Sequence, residues 1–210
     1  MWRSWQRSAT APGSGNAAMK LHLVRHPRPS IDPGLCYGAS DVPVSADELA
    51  RTCARLRAAG LPDLACGDLP VHASPLTRCA DLARALQPHR LQFDARLMEM
   101  DFGRWELQPW SAIPREEVDA WATDLLHYRP GGAENVLDVA RRVADFLDEL
   151  RGSGAAQAML VCHAGTIRLL TQIMSMSPAA LAQATLEQAA LQAAQTAHRI
   201  EYGALLTLET

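Results

Sequence analysis

Two arginines and two histidines stand where short apolar runs end, and those residue types together suit an anion. Leu21-His22-Leu23-Val24 runs into Arg25-His26, Leu69 to Ala73 runs into Ser74 with Arg78 close behind, and Ala158 to Cys162 runs into His163. Guanidinium forks and free backbone amides at helix starts match phosphate oxygens, and a neutral imidazole can act as a nucleophile. His26 is therefore the candidate nucleophile, with Arg25, Arg78 and His163 as candidate anion ligands. No metal is expected: the flanking arginines oppose a dication, and Cys-x-x-Cys spacing is absent. No cofactor is expected either. Cys162 precedes His163 and invites a thiol-nucleophile reading, but a cysteine ending an apolar strand is expected to be a small buried residue.

The elements that must position these residues follow from pattern. The apolar run into Arg25 predicts a buried strand, and Pro27 to Pro43 is rich in turn formers and long enough to cover a site. Ser45 and Glu48 have capping-box spacing, Leu49, Cys53 and Leu56 share a stripe, and Gly60 and Pro62 end that helix. After a second strand near Leu69 to Ala73, Ser74 is expected to cap a helix whose first residue is Pro75 and which stops before Pro88. A further strand is expected at Leu91 to Phe93. Glu99 to Tyr128, with Trp105, Trp110, Trp121 and a helix from Pro114, reads as an insertion over the sheet. The Pro130-Gly131-Gly132 turn leads to a longer helix ending near Arg151. A strand at Ala158 to Cys162, a helix from Ile167 to Met174, further helix and a strand near Ala204 to Leu208 complete the chain.

Strands alternating with helices predict an α/β fold, a three-layer α/β/α sandwich with a mostly parallel central sheet. Parallel strands would gather their carboxyl ends, and so the arginines and histidines, at one edge.

Composition narrows the class. The 210 residues are 48% hydrophobic with a formal net charge of -3, which suits one sizeable core and gives no reason for a nucleic-acid partner or a basic membrane-binding face. No run is long and apolar enough to span a membrane. Five cysteines, an odd number, suggest no disulfide framework and fit a reducing cytoplasm. Residues 1–18 lack Asp and Glu, and Ala, Ser, Gly and Pro dominate from Ser8 onward. They are expected to form a disordered extension ahead of a single domain at 19–210. The run Ala179 to Ala194 could offer an apolar face for a homodimer, although packing on its own sheet is the expectation.

Four ordered segments carry a resemblance. Leu23-Val24-Arg25-His26, Ser74-Pro75-Leu76-Thr77-Arg78-Cys79, Glu99-Met100-Asp101-Phe102-Gly103-Arg104-Trp105-Glu106 and Val161-Cys162-His163-Ala164-Gly165 resemble the signature segments of the histidine phosphatase superfamily, the phosphoglycerate mutase-like family. Pro130-Gly131-Gly132-Ala133-Glu134 is similar to that family's Pro-Gly-Gly-Glu turn, with one extra residue. The likeness spans Met19 to the carboxyl terminus. It implies that His26 attacks phosphorus, that Arg25, Arg78 and His163 hold the phosphoryl oxygens, and that Glu99 is the proton donor; Glu106 would support the loop. The substrate would be a small phosphomonoester.

The chain also departs from the family. Arg-His-Gly-x-Thr with a later asparagine is here Arg25-His26-Pro27-Arg28-Pro29-Ser30-Ile31-Asp32, so a hydroxyl and an amide are missing and Pro27 removes a backbone donor. Ser30 is the candidate replacement, and Arg28, Cys36 and Tyr37 are candidates for the pocket mouth. The Arg-His-Pro-x-Pro form, with Gly34-Leu35-Cys36-Tyr37-Gly38 and Asp41-Val42-Pro43, is similar to a bacterial branch associated with α-ribazole phosphatase, acting late in cobalamin nucleotide-loop assembly. A mutase-like phosphotransferase and a catalytically silent phospho-ligand binding protein are the alternatives.

Overall fold

Strand β4 (Gln157–Cys162) is buried along both faces after its first residue, as befits the middle of a parallel sheet. In the computed structural model, which describes residues 19–62, 64, 68–175, 183–196 and 199–209, it is central among five strands. The others are β1 (Lys20–Arg25), β2 (Val71–Ala73), β3 (Leu91–Phe93) and β5 (Leu205–Glu209), in the order β3-β2-β4-β1-β5. All pair parallel except β5, which runs antiparallel to β1 at the edge. The register puts Arg25 opposite Cys162, so the two strands deliver His26 and His163 side by side.

Period-two alternation sends neighbouring residues of β4 into different cores. Ala158, Leu160 and Cys162 join Leu21 and Leu23 against helices α4 (Val136–Gly152), α5 (Ala164–Met174) and α6 (Gln183–Gln195). Met159 and Val161 join Val24, Val71 and Ala73 against α1 (Ala46–Ala58) and α2 (Thr77–Ala85). Helices therefore cover both faces, giving the three-layer sandwich. The helix after β1 lies on one face and that after β4 on the other, so their carboxyl ends flank a switch point, where open α/β sheets form a crevice.

Local differences from the sequence reading have physical causes. Ser45 caps α1 by accepting from the Glu48 amide at 3.2 Å, but the Glu48 carboxylate turns to Arg51 instead of closing a capping box. Helix α2 starts at Thr77, not Pro75, and Ser74 is not its cap. Asp41 caps it instead, taking the Thr77 amide at 2.7 Å and the Thr77 hydroxyl at 2.6 Å. Helix α4 is held at its start by a reciprocal box between Asn135 and Asp138, and α5 begins three residues earlier than expected, with His163 at its N-cap.

The 99–128 segment is mostly short 3-10 turns plus α3 (Arg115–Thr123), organised by aromatic packing. Trp105, 1% exposed, meets Trp110 and Trp121 edge-on and donates its indole N–H to Glu117 at 2.7 Å. Leu186, Ala189, Ala190 and Ala193 of α6 are buried in the core shared with α4 and α5, as intramolecular packing requires. Residues 179–182 of that run, and the whole of 1–18, lie outside the described residues. No described helix is long and apolar enough to cross a membrane.

Candidate active site

His26, 3% exposed, follows the last residue of β1 and is fixed at both ends. Its backbone amide donates to the Cys162 carbonyl at 3.1 Å, and its Nδ1 lies 2.7 Å from the Pro27 carbonyl. A carbonyl only accepts, so Nδ1 carries the proton and Nε2 is left as the free lone pair. Burial, then the positive charge of Arg78 and of Arg25, holds the His26 pKa well below 6.5 against the opposing pull of the Pro27 carbonyl. The imidazole is neutral at neutral pH. Pro27 thus costs one backbone donor while its carbonyl sets the tautomer.

His163 is fully buried with its ring centroid 5.1 Å from that of His26. Its Nε2 lies 2.8 Å from the Ser74 hydroxyl, whose oxygen also takes the Leu76 amide at 3.4 Å, one residue short of the first turn of α2. Burial, and after it the neighbouring His26, Arg78 and Arg142, keep His163 well below the usual histidine range. Cys79 and Cys162 are buried beside it, and burial pushes both thiols far up, so neither is a thiolate nucleophile.

Arg78 is fully buried, donating to the Ser40 carbonyl at 2.7 Å and to the Gly38 carbonyl, while its Nε has no partner among the described residues. Arg25 donates to the Ile200 carbonyl, lies 3.8 Å over the Tyr202 ring, and also has an unpartnered buried Nε. Among the described residues neither arginine pairs with a carboxylate. A buried guanidinium such as that of Arg78 is expensive without a counter-charge, and with the half-buried Arg25 beside it the pair calls for an anion.

Glu99 comes from the loop after β3. Its Oε2 accepts the Gly165 amide at 3.0 Å and Oε1 the Met100 amide at 3.2 Å. Gly165 permits this approach, since a Cβ there would overlap Glu99 Oε1. One amide at each of two helix starts goes to a protein carboxylate instead of facing the cleft, that of Thr77 to Asp41 at α2 and that of Gly165 to Glu99 at α5.

Arg25, His26, Arg78, Glu99 and His163 line one cleft of 220 Å³, with Tyr37 and Trp110 at its wall. A second cavity, 380 Å³, shares Tyr37 and Glu99 with it and is walled mainly by apolar residues including Phe102, Trp121, Val139 and Leu169. A third hollow, 530 Å³, borders the start of β4 and contains none of these groups.

Residues 21–201 match the family model of the histidine phosphatase superfamily (branch 1). The chain belongs to that superfamily. Over 180 residues it is 28% identical to the adenosylcobalamin/alpha-ribazole phosphatase of Salmonella typhimurium, covering 77% of this chain and 82% of that protein. The crystal structure of the alpha-ribazole phosphatase from Shigella flexneri superposes with a TM-score of 0.71 at 23% identity, covering 90% and 89% of the two chains, a likeness of fold. A phosphoglycerate mutase from Thermus thermophilus superposes at 0.58 with 28% identity, over 76% and 86%. As a histidine phosphatase, the chain brings its four signature segments to one cleft.

Two expected pocket residues lie elsewhere. Cys36 is fully buried with Trp105 and Ile113, because the aromatic insertion packs over it, and it does not line the cleft. Ser30 is exposed, its backbone amide tied to the Pro43 carbonyl at 2.8 Å, and it lines neither cavity at the site. Arg28 is exposed with its guanidinium 5.5 Å over the Tyr202 ring. Tyr37 lines both cavities, and its hydroxyl lies 2.9 Å from that of Tyr202. Tyr202, whose ring is 5.6 Å from His26, escaped the sequence reading because nothing around it marks a turn before an edge strand as part of a site.

Proposed function

We propose that the protein is a metal-independent phosphomonoesterase acting through a phosphohistidine on His26, with α-ribazole 5′-phosphate as its substrate in cobalamin biosynthesis. The observation that carries the catalytic reading is a neutral His26, its Nδ1 held by Pro27, in one cleft with two arginines that lack carboxylate partners. Nε2 attacks phosphorus as the ester P–O bond breaks, and Arg25, Arg78 and His163 hold the phosphoryl oxygens through the transition state. Glu99 gives a proton to the leaving alkoxide. It then takes one from the water that attacks the phosphohistidine, which releases phosphate and returns His26 to its neutral form.

The substrate rests on different support. The Salmonella relative carries the alpha-ribazole name, and the cavity next to Glu99 suits an alcohol with a bulky apolar part. Among the described residues Arg168 is its one basic lining residue, a poor match for a carboxylate or a second phosphate. Hydrolysis is favoured over phosphate transfer to a second alcohol. The working enzyme is assigned to the cytoplasm, its partner being the small phosphomonoester.

The test is hydrolysis of p-nitrophenyl phosphate in excess chelator, with acid quenching to trap labelled phosphoenzyme. Turnover with label on the native chain and no label on His26→Ala is expected. Tight binding of inorganic phosphate without turnover would instead establish a silent binding protein.

A further inference from the structure

Arg142 of α4 uses every donor it has, three on one short strap of chain and two on the carboxylate of Glu134. Its Nε and one Nη2 hydrogen reach the two oxygens of Glu134 at 2.9 and 3.0 Å, a bidentate fork. Nη1 donates to the carbonyls of Arg96 and Met98, both at 2.7 Å, and Nη2 to that of Glu99 at 3.1 Å. A guanidinium has five N–H donors, and all five are engaged.

Glu134, in the Pro-Gly-Gly-Ala-Glu turn, completes the grip from the other end. Its carboxylate also accepts the Asp101 amide at 3.0 Å, and its own amide donates to the Asp101 carbonyl at 3.1 Å. The Thr166 hydroxyl adds a bond to the Met98 carbonyl at 3.0 Å. The strap from Arg96 to Asp101, which carries Glu99, is thus tied at four backbone carbonyls and one amide. Neither Arg142 nor Glu134 lines the cleft.

We propose that Arg142 and Glu134 are positioning residues that set where the Glu99 carboxyl stands relative to the leaving oxygen. The proposal rests on the reading of Glu99 as proton donor. Planarity matters here: the guanidinium spans carboxylate and carbonyls in one plane, and a lysine ammonium with three donors on a flexible stem cannot hold them together. Displacing the carboxyl by an ångström is enough to matter, and the loss falls on protonation of the leaving group.

The test compares kcat/KM on a simple alkyl phosphate and on p-nitrophenyl phosphate for Glu99→Gln, Arg142→Lys and the double variant. Poor leaving groups need the proton and activated aryl ones hardly do, so Arg142→Lys should lose about 100-fold on the alkyl ester and under about tenfold on the aryl one. The double variant should be no slower on the alkyl ester than Glu99→Gln alone, because two residues acting through one carboxyl are not additive. Equal losses of Arg142→Lys on both esters, or multiplied losses in the double variant, would overturn the proposal while leaving Glu99 in its role. Equal losses for Glu99→Gln itself would overturn both. Should Arg142→Lys not fold, Glu134→Gln, which keeps the size of the fork and removes its charge, is read by the same criteria.

Discussion

Arg78 and Glu106 grip the same tripeptide by complementary groups. Arg78 donates to the carbonyls of Gly38 and Ser40, while the Glu106 carboxylate accepts the amides of Gly38, Ala39 and Ser40 at 2.9 to 3.1 Å and the Ser40 hydroxyl at 2.5 Å. Gly38 is required there, since a Cβ would overlap the Met100 carbonyl oxygen. The long loop after β1 is thereby fixed against the 99–106 segment, and the buried Arg78 that lines the cleft is fixed with it. Glu106 is a structural partner of the site without lining it.

Glu106→Ala should therefore damage stability and phosphate binding together. Although burial raises the Glu106 pKa, the Ser40 hydroxyl and the amides of Phe102, Gly38 and Ala39 outweigh it and hold the carboxyl below its usual range. Removing the carboxylate leaves part-buried amides unsatisfied, at about 1–3 kcal/mol for each group that water cannot reach. Urea unfolding should show that loss, and inhibition by inorganic phosphate should weaken as Arg78 loses its ordered carbonyls. Unchanged phosphate inhibition in a destabilised variant would show that Arg78 holds its place without the loop.

Gly165→Ala separates stability from catalysis. The position lies in the first turn of α5, where alanine is intrinsically favoured over glycine by about 1 kcal/mol, so the fold should tolerate it. The new Cβ would press on Glu99 Oε1, the end of a side chain that can move away. Expected is a thermal midpoint near that of the native chain with an alkyl-phosphatase rate lower by about 100-fold, the scale of a misplaced catalytic group. Full activity would mean that Glu99 need not stand where the Gly165 amide holds it.

The sheet, its order of strands and helices and the four signature segments are legible because buried strands and helix stripes write their periods directly into sequence. The failures cluster where a side chain serves a distant partner. Ser74 reads as a cap on local spacing alone, yet it bonds His163, 89 positions on, and α2 is capped by Asp41, 36 positions back. Cys36 reads as a pocket residue in a glycine-bounded loop, but the tryptophans of the insertion close over it. Arg142 sits on an amphipathic helix that also carries Arg141 and Arg151, and nothing local distinguishes the one whose five donors are all used.

Acidification should weaken the fold before any carboxylate responds. His26 and His163 are held neutral in the folded chain, but in the unfolded chain they take up protons near 6.5. The unfolded state then binds more protons, so stability is complete above 6.5 and falls as pH drops through it, by up to about 1.4 kcal/mol per pH unit for each such group. His22 and His72 are shifted the same way by burial, more weakly. Asp94 and Glu106, both lowered, add their own losses only near and below 4.5. Urea midpoints between pH 7 and pH 5 should decline, and His26→Gln should make the decline shallower; equal slopes would refute the neutral, buried His26.

The apolar cavity beside Glu99 should decide which alcohols are accepted. It shares Tyr37 and Glu99 with the cleft of His26, so an ester whose phosphorus meets His26 would put its oxygen near Glu99 and its alcohol into that space. An alcohol bearing a carboxylate or second phosphate would meet Glu99 and apolar walls, with Arg168 alone opposing among the described residues, and Arg168 already donates to the Thr196 carbonyl at 3.3 Å. Burying a charge without partners is costly, so phosphoglycerates and bisphosphates should be poor substrates and α-ribazole 5′-phosphate a good one. Ala194→Phe, which fills part of the cavity, should raise KM for the bulky ester and leave inhibition by inorganic phosphate unchanged. A variant in which both constants move together would place the alcohol elsewhere, and efficient turnover of 3-phosphoglycerate by the native chain would exclude an apolar alcohol pocket.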